Sequence, residues 1–382
     1  MIERDGAEQL LVVAGEASGD THAAELLHEL AGRCPGLKTF GLGGGRCAEA
    51  GLERVAKSSE ISVVGITEAW RILPRALKIF RLLLAEVDRR GARTALLVDF
   101  PEFNLRLAKA LAKRGVRVVY YVSPQVWAWR RGRVKTIARV VDQMLVLFPF
   151  EEAFYREHGV EAIHVGHPLV DQVPVLDRPP VSAGGRRTLC LLPGSRSSEV
   201  RAHLPVMAEA VTLLAERMDL GIRWIVAPGL DPARFEHVVP SGLDCEVVTE
   251  ARFEAIAAAD LALCASGTAT LEVGLLGTPM IVIYKVSRLT SWIGRALIRL
   301  PSISLVNLVL DRPAVPELLQ EAATAQSISS LAGDLLSDLE RLRSMIGDLA
   351  ELRTRLGESG ASSRAAAVVE RVLQGEKEQV DA

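Results

Sequence analysis

Residues 193–199, Pro193-Gly194-Ser195-Arg196-Ser197-Ser198-Glu199, follow the apolar run Leu189–Leu192 and precede an apolar-periodic stretch. The run reads as a buried strand, Pro193 and Gly194 stop it, and Ser198 and Glu199 open a helix. A strand, a small-residue turn and a helix N-terminus make a place for an anion, because unpaired backbone N–H groups and the helix dipole point at it. Arg196 adds a planar guanidinium that suits phosphate. Gly194 and Ser195 complete the turn. A second turn of this kind, Ser266-Gly267-Thr268-Ala269-Thr270-Leu271-Glu272, follows the apolar run Leu261–Ala265. Two anion-ready turns in one sheet suit a pyrophosphate, and Glu272, early in its helix, can accept from two ribose hydroxyls.

The first half carries acids at corresponding places. Leu10–Ala14 ends in Gly15-Glu16-Ala17-Ser18-Gly19-Asp20, and Ala95–Val98 ends in Asp99-Phe100-Pro101. Open α/β sheets put functional groups just past the C-terminal ends of their strands, so Glu16, Ser18 and Asp99 are candidates. The strand Val116–Val122 runs into Ser123-Pro124-Gln125-Val126-Trp127-Ala128-Trp129-Arg130. Gln125 and Trp127 in such a loop can pack a sugar or a lipid head group.

These turns need parallel sheets to hold them. Strand runs alternate with helical periodicity along the chain: strands at Leu37–Leu42, about 143–148 and about 161–165 in the first half, and at Ile222–Ala227, Cys245–Val248 and Met280–Tyr284 in the second. That alternation predicts an α/β fold of parallel sheets covered on both faces. A chain of 382 residues is about two to three times a typical domain. Prolines and glycines punctuate 168–187, which reads as a linker. The expected division is 1–170 and 171–354, with a helix at about 355–382 packing back on the first domain.

Other signals narrow the chemistry. Gly41-Leu42-Gly43-Gly44-Gly45-Arg46 comes within one residue of a dinucleotide fingerprint, but Arg46 replaces the last glycine and argues against nicotinamide. His164 and His167 have HxxH spacing without a third ligand nearby, which argues against zinc. No Asp-x-Asp triplet exists, so no metal and no cofactor is expected, and a leaving diphosphate would rest on Arg196 and helix N-termini. The net charge of −2 gives no case for nucleic acid. Five cysteines without a CxxC pair read as small core residues in a reducing compartment. The start of the chain does not read as a signal peptide, and no apolar run approaches the ~18 residues that span a bilayer. Two basic amphipathic stretches remain. One has Leu73, Ala76, Leu77, Phe80, Leu83, Leu84 and Val87 on a face; the other has Leu289, Trp292, Ile293, Ala296, Leu297 and Leu300. Either packs into a core or lies on a membrane surface.

The segments VAGEASGD (13–20), YVSPQVWAWR (121–130), LPGSR (192–196), ASGTATLE (265–272) and SLVNLVL (304–310) together resemble the lipid-A-disaccharide synthase family, in its order and over nearly the whole chain. The resemblance implies a GT-B fold, two Rossmann-like domains facing across a cleft. It implies an inverting transfer of acylated glucosamine from UDP to an acylated glucosamine 1-phosphate, giving a β-1,6 disaccharide 1-phosphate and UDP. By motif, Glu16, Ser18 and Asp99 would line the acceptor side. Gly194, Ser195, Arg196, Ser266, Gly267, Thr268, Glu272 and Asn307 would hold the nucleotide. Val306 stands where the family usually has proline. Asp99 is the expected base and Glu16 its rival. The acylated substrates imply a cytoplasmic protein, peripheral on the inner face of the inner membrane; a homodimer stays open. Alternatives are another GT-B enzyme of UDP-sugars, such as a 2-epimerase or the peptidoglycan glycosyltransferase, and a nucleotide-sugar-binding protein without catalysis.

Overall fold

The computed structural model describes residues 8–61, 69–127, 131–179, 185–236, 242–285 and 302–375. The chain divides into two compact units: Met1–Pro168 with Ser359–Ala382, and Leu169–Glu358.

The first unit is built on seven strands: β1 (Gln9–Ala14), β2 (Lys38–Gly43), β3 (Glu53–Lys57), β4 (Thr94–Val98), β5 (Arg117–Tyr121), β6 (Gln143–Val146) and β7 (Ala162–His164). They form one sheet in the order β3-β2-β1-β4-β5-β6-β7, and every pairing is parallel. Helices cover both faces, so β1 and β4 lose nearly all exposure, which explains their unbroken apolar sequence. Leu11, Val13, Leu97, Tyr120 and Met144 on the strands join Leu83, Val87, Leu107 and Ile137 on helices in the core. Strand order reverses between β1 and β4, where the doubly wound fold opens a crevice at the strand ends.

The second unit repeats the plan with β8 (Arg187–Leu192), β9 (Leu220–Ile225), β10 (Asp244–Val248), β11 (Leu261–Ala265), β12 (Met280–Tyr284) and β13 (Glu317–Leu319). Its order is β10-β9-β8-β11-β12-β13, again all parallel, and the reversal lies between β8 and β11.

The helix Ala361–Gln374 packs in the first unit against the helix Ala17–Arg33. Ala361, Ala365 and Val369 are fully buried. Arg33 donates to Ser363 Oγ at 3.0 Å, and Arg364 donates to the Val165 carbonyl at 2.9 Å.

Two sequence expectations change. Cys47, Cys190 and Cys264 are buried, but Cys34 and Cys245 are only partly so. Cys34 caps a helix end and Cys245 lies on β10, an edge strand with a neighbour on one side only. The apolar stripe on the helix Ala69–Arg90 is not one buried face. Ile79, Leu83, Leu84 and Val87 enter the core, whereas Leu73 and Leu77 are nearly half exposed. The second stripe, 289–300, lies outside the described residues, as does Trp129. The glycines at 43–45, which the sequence already argued against as a dinucleotide site, have another role. Asp20 accepts from the amides of Gly44 at 2.6 Å, Arg46 at 3.1 Å and Cys47 at 3.3 Å, so a resident carboxylate fills that helix N-terminus.

Candidate active site

At the first unit's reversal, two turns are pressed together. A Cβ on Gly15 would stand 2.2 Å from the Phe100 ring, so only glycine lets the end of β1 approach the end of β4. Gly19, in the next helix's first turn, sits against Val98 and Asp99. The structure thus groups Glu16 and Asp99, both half-buried, with Ser18 exposed beside them.

Asp99 and Phe100 are both left-handed, with φ of 48° and 49°. Such backbone costs roughly 1–3 kcal/mol per residue and persists only when its surroundings impose it. Here the Asp99 amide donates to the Tyr121 carbonyl at 2.9 Å. The Asp99 carbonyl accepts from Tyr120 Oη at 2.6 Å and from Asn104 Nδ2 at 2.8 Å. Burial raises the Tyr120 hydroxyl well above its ordinary pKa, so it stays a donor. Val122, at the end of β5, is a third strained residue, with φ of 63°. The strain gathers at the ends of β4 and β5, next to the candidate acid.

The loop after β5 is arranged differently from expectation. Trp127 is only 6% exposed, lies edge-on to Phe150 at 4.9 Å, and donates from Nε1 to Glu151 at 2.9 Å. Its ring is spent on the core and is not presented to a sugar. Gln125 is exposed. Glu151, a residue no motif announced, is the buried post behind this loop. It also accepts from Ser123 Oγ at 2.5 Å and from the Phe148 amide at 3.1 Å. Burial pushes its carboxyl up to about 7 against those hydrogen bonds. The HxxH pair serves packing. His164 faces the Leu147 carbonyl at 3.2 Å, His167 lies against Phe148, and burial holds His167 down to about 3.

At the second unit's reversal, the turns after β8 and β11 are neighbours. Glu199 reaches back to the amides of Ser195 at 3.1 Å and Arg196 at 3.2 Å, in the manner of a capping box, and pairs with the Arg196 guanidinium at 3.3 Å. Arg196 remains 75% exposed. His203 fixes the turn from behind. Its Nε2 accepts from the Lys285 amide at 3.0 Å, so the proton sits on Nδ1 and goes to the Pro193 carbonyl at 2.9 Å. Burial lowers the pKa of His203 and keeps it neutral.

Gly267 has φ of 144°, and the space its Cβ would occupy is empty. A ligand can approach the backbone there. Thr268 is exposed beside it, and Thr270 Oγ1 donates to the Gly267 carbonyl at 2.7 Å. Glu272 is held by both arms of Arg252, at 2.9 and 3.2 Å, and burial raises its pKa against that pairing. Arg252 was invisible in the sequence because it lies 20 residues from its partner.

Asn307 departs from its expected role. Its Nδ2 donates to the Val315 carbonyl and to Glu317, both at 2.8 Å, and its Oδ1 accepts from the Val315 amide at 2.9 Å. The side chain turns toward the approach to β13 and has no donor left for a nucleotide. A cavity of about 750 Å³ opens there, but no residue of the two anion-ready turns lines it. Among the described residues, no three His, Cys, Asp or Glu side chains group to hold a metal ion.

A family model described as lipid-A-disaccharide synthetase matches residues 10–372. A lipid-A-disaccharide synthase of Myxococcus xanthus is 47% identical over 378 residues, covering 96% of this chain and 97% of that protein. Among solved structures, a putative UDP-N-acetylglucosamine 2-epimerase from Listeria monocytogenes superposes with a TM-score of 0.65 at 11% identity, covering 97% of this chain and 98% of that one. CalG4, the calicheamicin glycosyltransferase, gives 0.64 at 16% identity, covering 96% and 98%. At such identities the structures speak for the fold alone, which is GT-B. The sequence match runs through both sheets and every motif turn, and the chain belongs to the lipid-A-disaccharide synthetase family.

Proposed function

We propose that this protein is an inverting glycosyltransferase that joins UDP-2,3-diacylglucosamine to 2,3-diacylglucosamine 1-phosphate. The products are the β-1,6 disaccharide 1-phosphate and UDP. The family match over residues 10–372 carries this reading. The geometry supports a division of roles: a carboxylate group at the first unit's reversal and, at the second's, the exposed Arg196 guanidinium beside the open backbone of Gly267, the Ser195 and Arg196 amides being held by Glu199. The acceptor's 6-hydroxyl attacks the donor's anomeric carbon. The bond from that carbon to the phosphate oxygen breaks, UDP leaves with its electron pair, and the hydroxyl proton passes to Asp99. Ser18 and Gln125 are exposed polar residues on the acceptor side. Incubating both acylated substrates with the protein in EDTA and separating products by thin-layer chromatography tests the reaction. Disaccharide supports it; an epimerised donor, or no turnover, sinks it.

Arg196, through its guanidinium, is the phosphate clamp. Lysine keeps the charge but not the fork. Calorimetry should find UDP affinity lowered in Arg196→Lys and lowered further in Arg196→Ala. Wild-type affinity in Arg196→Ala would remove this residue from the site.

Acylated substrates call for a membrane surface, at the cytoplasmic face. No helix among the described residues is long and apolar enough to cross a bilayer. Leu73 and Leu77 offer exposed apolar area, with Arg75, Lys78 and Arg81 on the same helix. Attraction to anionic lipid is screened by salt. Co-sedimentation with anionic vesicles should fall as salt rises and fall again in Leu73→Ser/Leu77→Ser; binding indifferent to both would move the contact elsewhere.

A further inference from the structure

We propose that Glu317 is a positioning residue of the nucleotide side, acting through the 302–307 segment on the turn that begins at Ser266. The proposal rests on the reading above, in which that turn takes the donor nucleotide. Glu317 opens β13, and its carboxylate accepts from four groups: Ser302 Oγ, the amides of Ile303 and Ser304, both at 3.0 Å, and Asn307 Nδ2 at 2.8 Å. Three of these bonds converge on Oε1 and the fourth goes to Oε2.

The arrangement replaces an ordinary cap. The helix Leu305–Leu310 begins after Ser304, yet the Ser304 hydroxyl caps nothing and is buried with no partner among the described residues. The amides at this helix entry would otherwise be orphans. Glu317 supplies the acceptor from a strand that lies 13 residues downstream of Ser304. Ile303 then faces two ways. Its amide goes to Glu317, and its carbonyl accepts from Ser266 Oγ at 3.3 Å. The Ser266 amide donates to the Ile283 carbonyl, at the end of β12, at 3.0 Å. One carboxylate therefore ties β13, the 302–307 segment and the start of the 266–268 turn. Asn307 is a part of that tie, and its influence on the nucleotide passes through Glu317.

The test titrates UDP by calorimetry into wild type, Glu317→Gln, Glu317→Ala, Asn307→Ala and the double alanine variant, and measures KM for donor and acceptor separately. Glu317→Gln keeps the shape and some of the acceptors, and so serves as the variant that folds. We expect UDP affinity to fall several-fold in Glu317→Gln and about tenfold or more in Glu317→Ala, the scale of one charge-assisted hydrogen bond. KM for the donor rises with it, while KM for the acceptor stays put. Because Asn307 and Glu317 act as one unit, the double variant loses no more than the worse single one. Unchanged UDP affinity and donor KM, with only a lower melting temperature, would show that the carboxylate merely holds the fold and would overturn the proposal. Additive losses would overturn it too, by giving Asn307 its own nucleotide contact. A wild type that does not bind UDP fails earlier and differently, since it removes the reading on which the proposal rests.

Discussion

Asp99→Asn is expected to fold, to bind UDP as the wild type does, and to turn over at least about 10²-fold more slowly, the lower end of what a general base supplies. A sugar hydroxyl is a poor nucleophile until its proton is taken, and an amide cannot take it. Three main-chain hydrogen bonds hold the left-handed backbone at this residue, from the Asp99 amide to Tyr121 and to the Asp99 carbonyl from Tyr120 and Asn104, and asparagine leaves all three in place. Asparagine also tolerates that conformation better than most residues. The measurement is kcat at saturating donor and acceptor, with calorimetry on the same preparation. A variant within a few-fold of wild type would pass the role to Glu16, which the structure groups with Asp99 at the same reversal.

Glu151→Gln should change how stability depends on pH. The wild-type carboxyl titrates at about 7 in the folded protein against an ordinary value of 4.5, because burial disfavours its charge. Between those values the folded chain holds the proton more tightly than the unfolded chain does. Stability therefore falls as pH rises through that window, and the loss is complete above about 7. At roughly 1.4 kcal/mol per pH unit the full swing is about 3 kcal/mol. His22 and His167, held down to about 4 and about 3 by burial, run the other way below their ordinary 6.5. They are present in both proteins and cancel in the comparison. Glutamine lacks the titration, so its stability relative to wild type should climb by about 3 kcal/mol between pH 4.5 and 8. Hydrogen exchange of the β5 and β6 amides, variant against wild type at each pH, reads the first unit directly. A difference that stays flat with pH would mean that Glu151 ionises like an ordinary surface carboxylate.

The parts of the fold legible in the sequence are those that parallel sheets bury on both sides. Leu10–Ala14 and Leu261–Ala265 read as continuous apolar runs because each has a strand on either side and helices on both faces. The two strands that went unseen, β3 and β13, are edges. Glu53-Arg54-Val55-Ala56-Lys57 is mostly polar, and Glu317-Leu318-Leu319 is too short to show a period. The candidate turns were legible for a local reason: small residues and acids directly after a strand stand out in the sequence. The groups that stiffen those turns were not. Glu151, His203, Arg252 and Glu317 each find partners across the fold, 24 residues away for Trp127 and 82 for Lys285. Trp127 misled for the same reason, since nothing beside it in the sequence says that a buried carboxylate waits behind its ring.

The helix Ala361–Gln374 has a consequence for how the molecule is made. The second unit is one uninterrupted piece of chain, whereas the first is completed by residues from beyond it. Synthesis runs from the N-terminus, and domains generally fold as they emerge. The ribosome thus releases seven strands whose covering is unfinished, then the whole of the next sheet, and only afterwards the segment that lies on the 17–33 helix. Throughout that interval the apolar surface meant for Ala361, Ala365 and Val369 stands open. The first unit is translated before the second and closed after it, so its apolar surface is exposed for as long as the second sheet is being made.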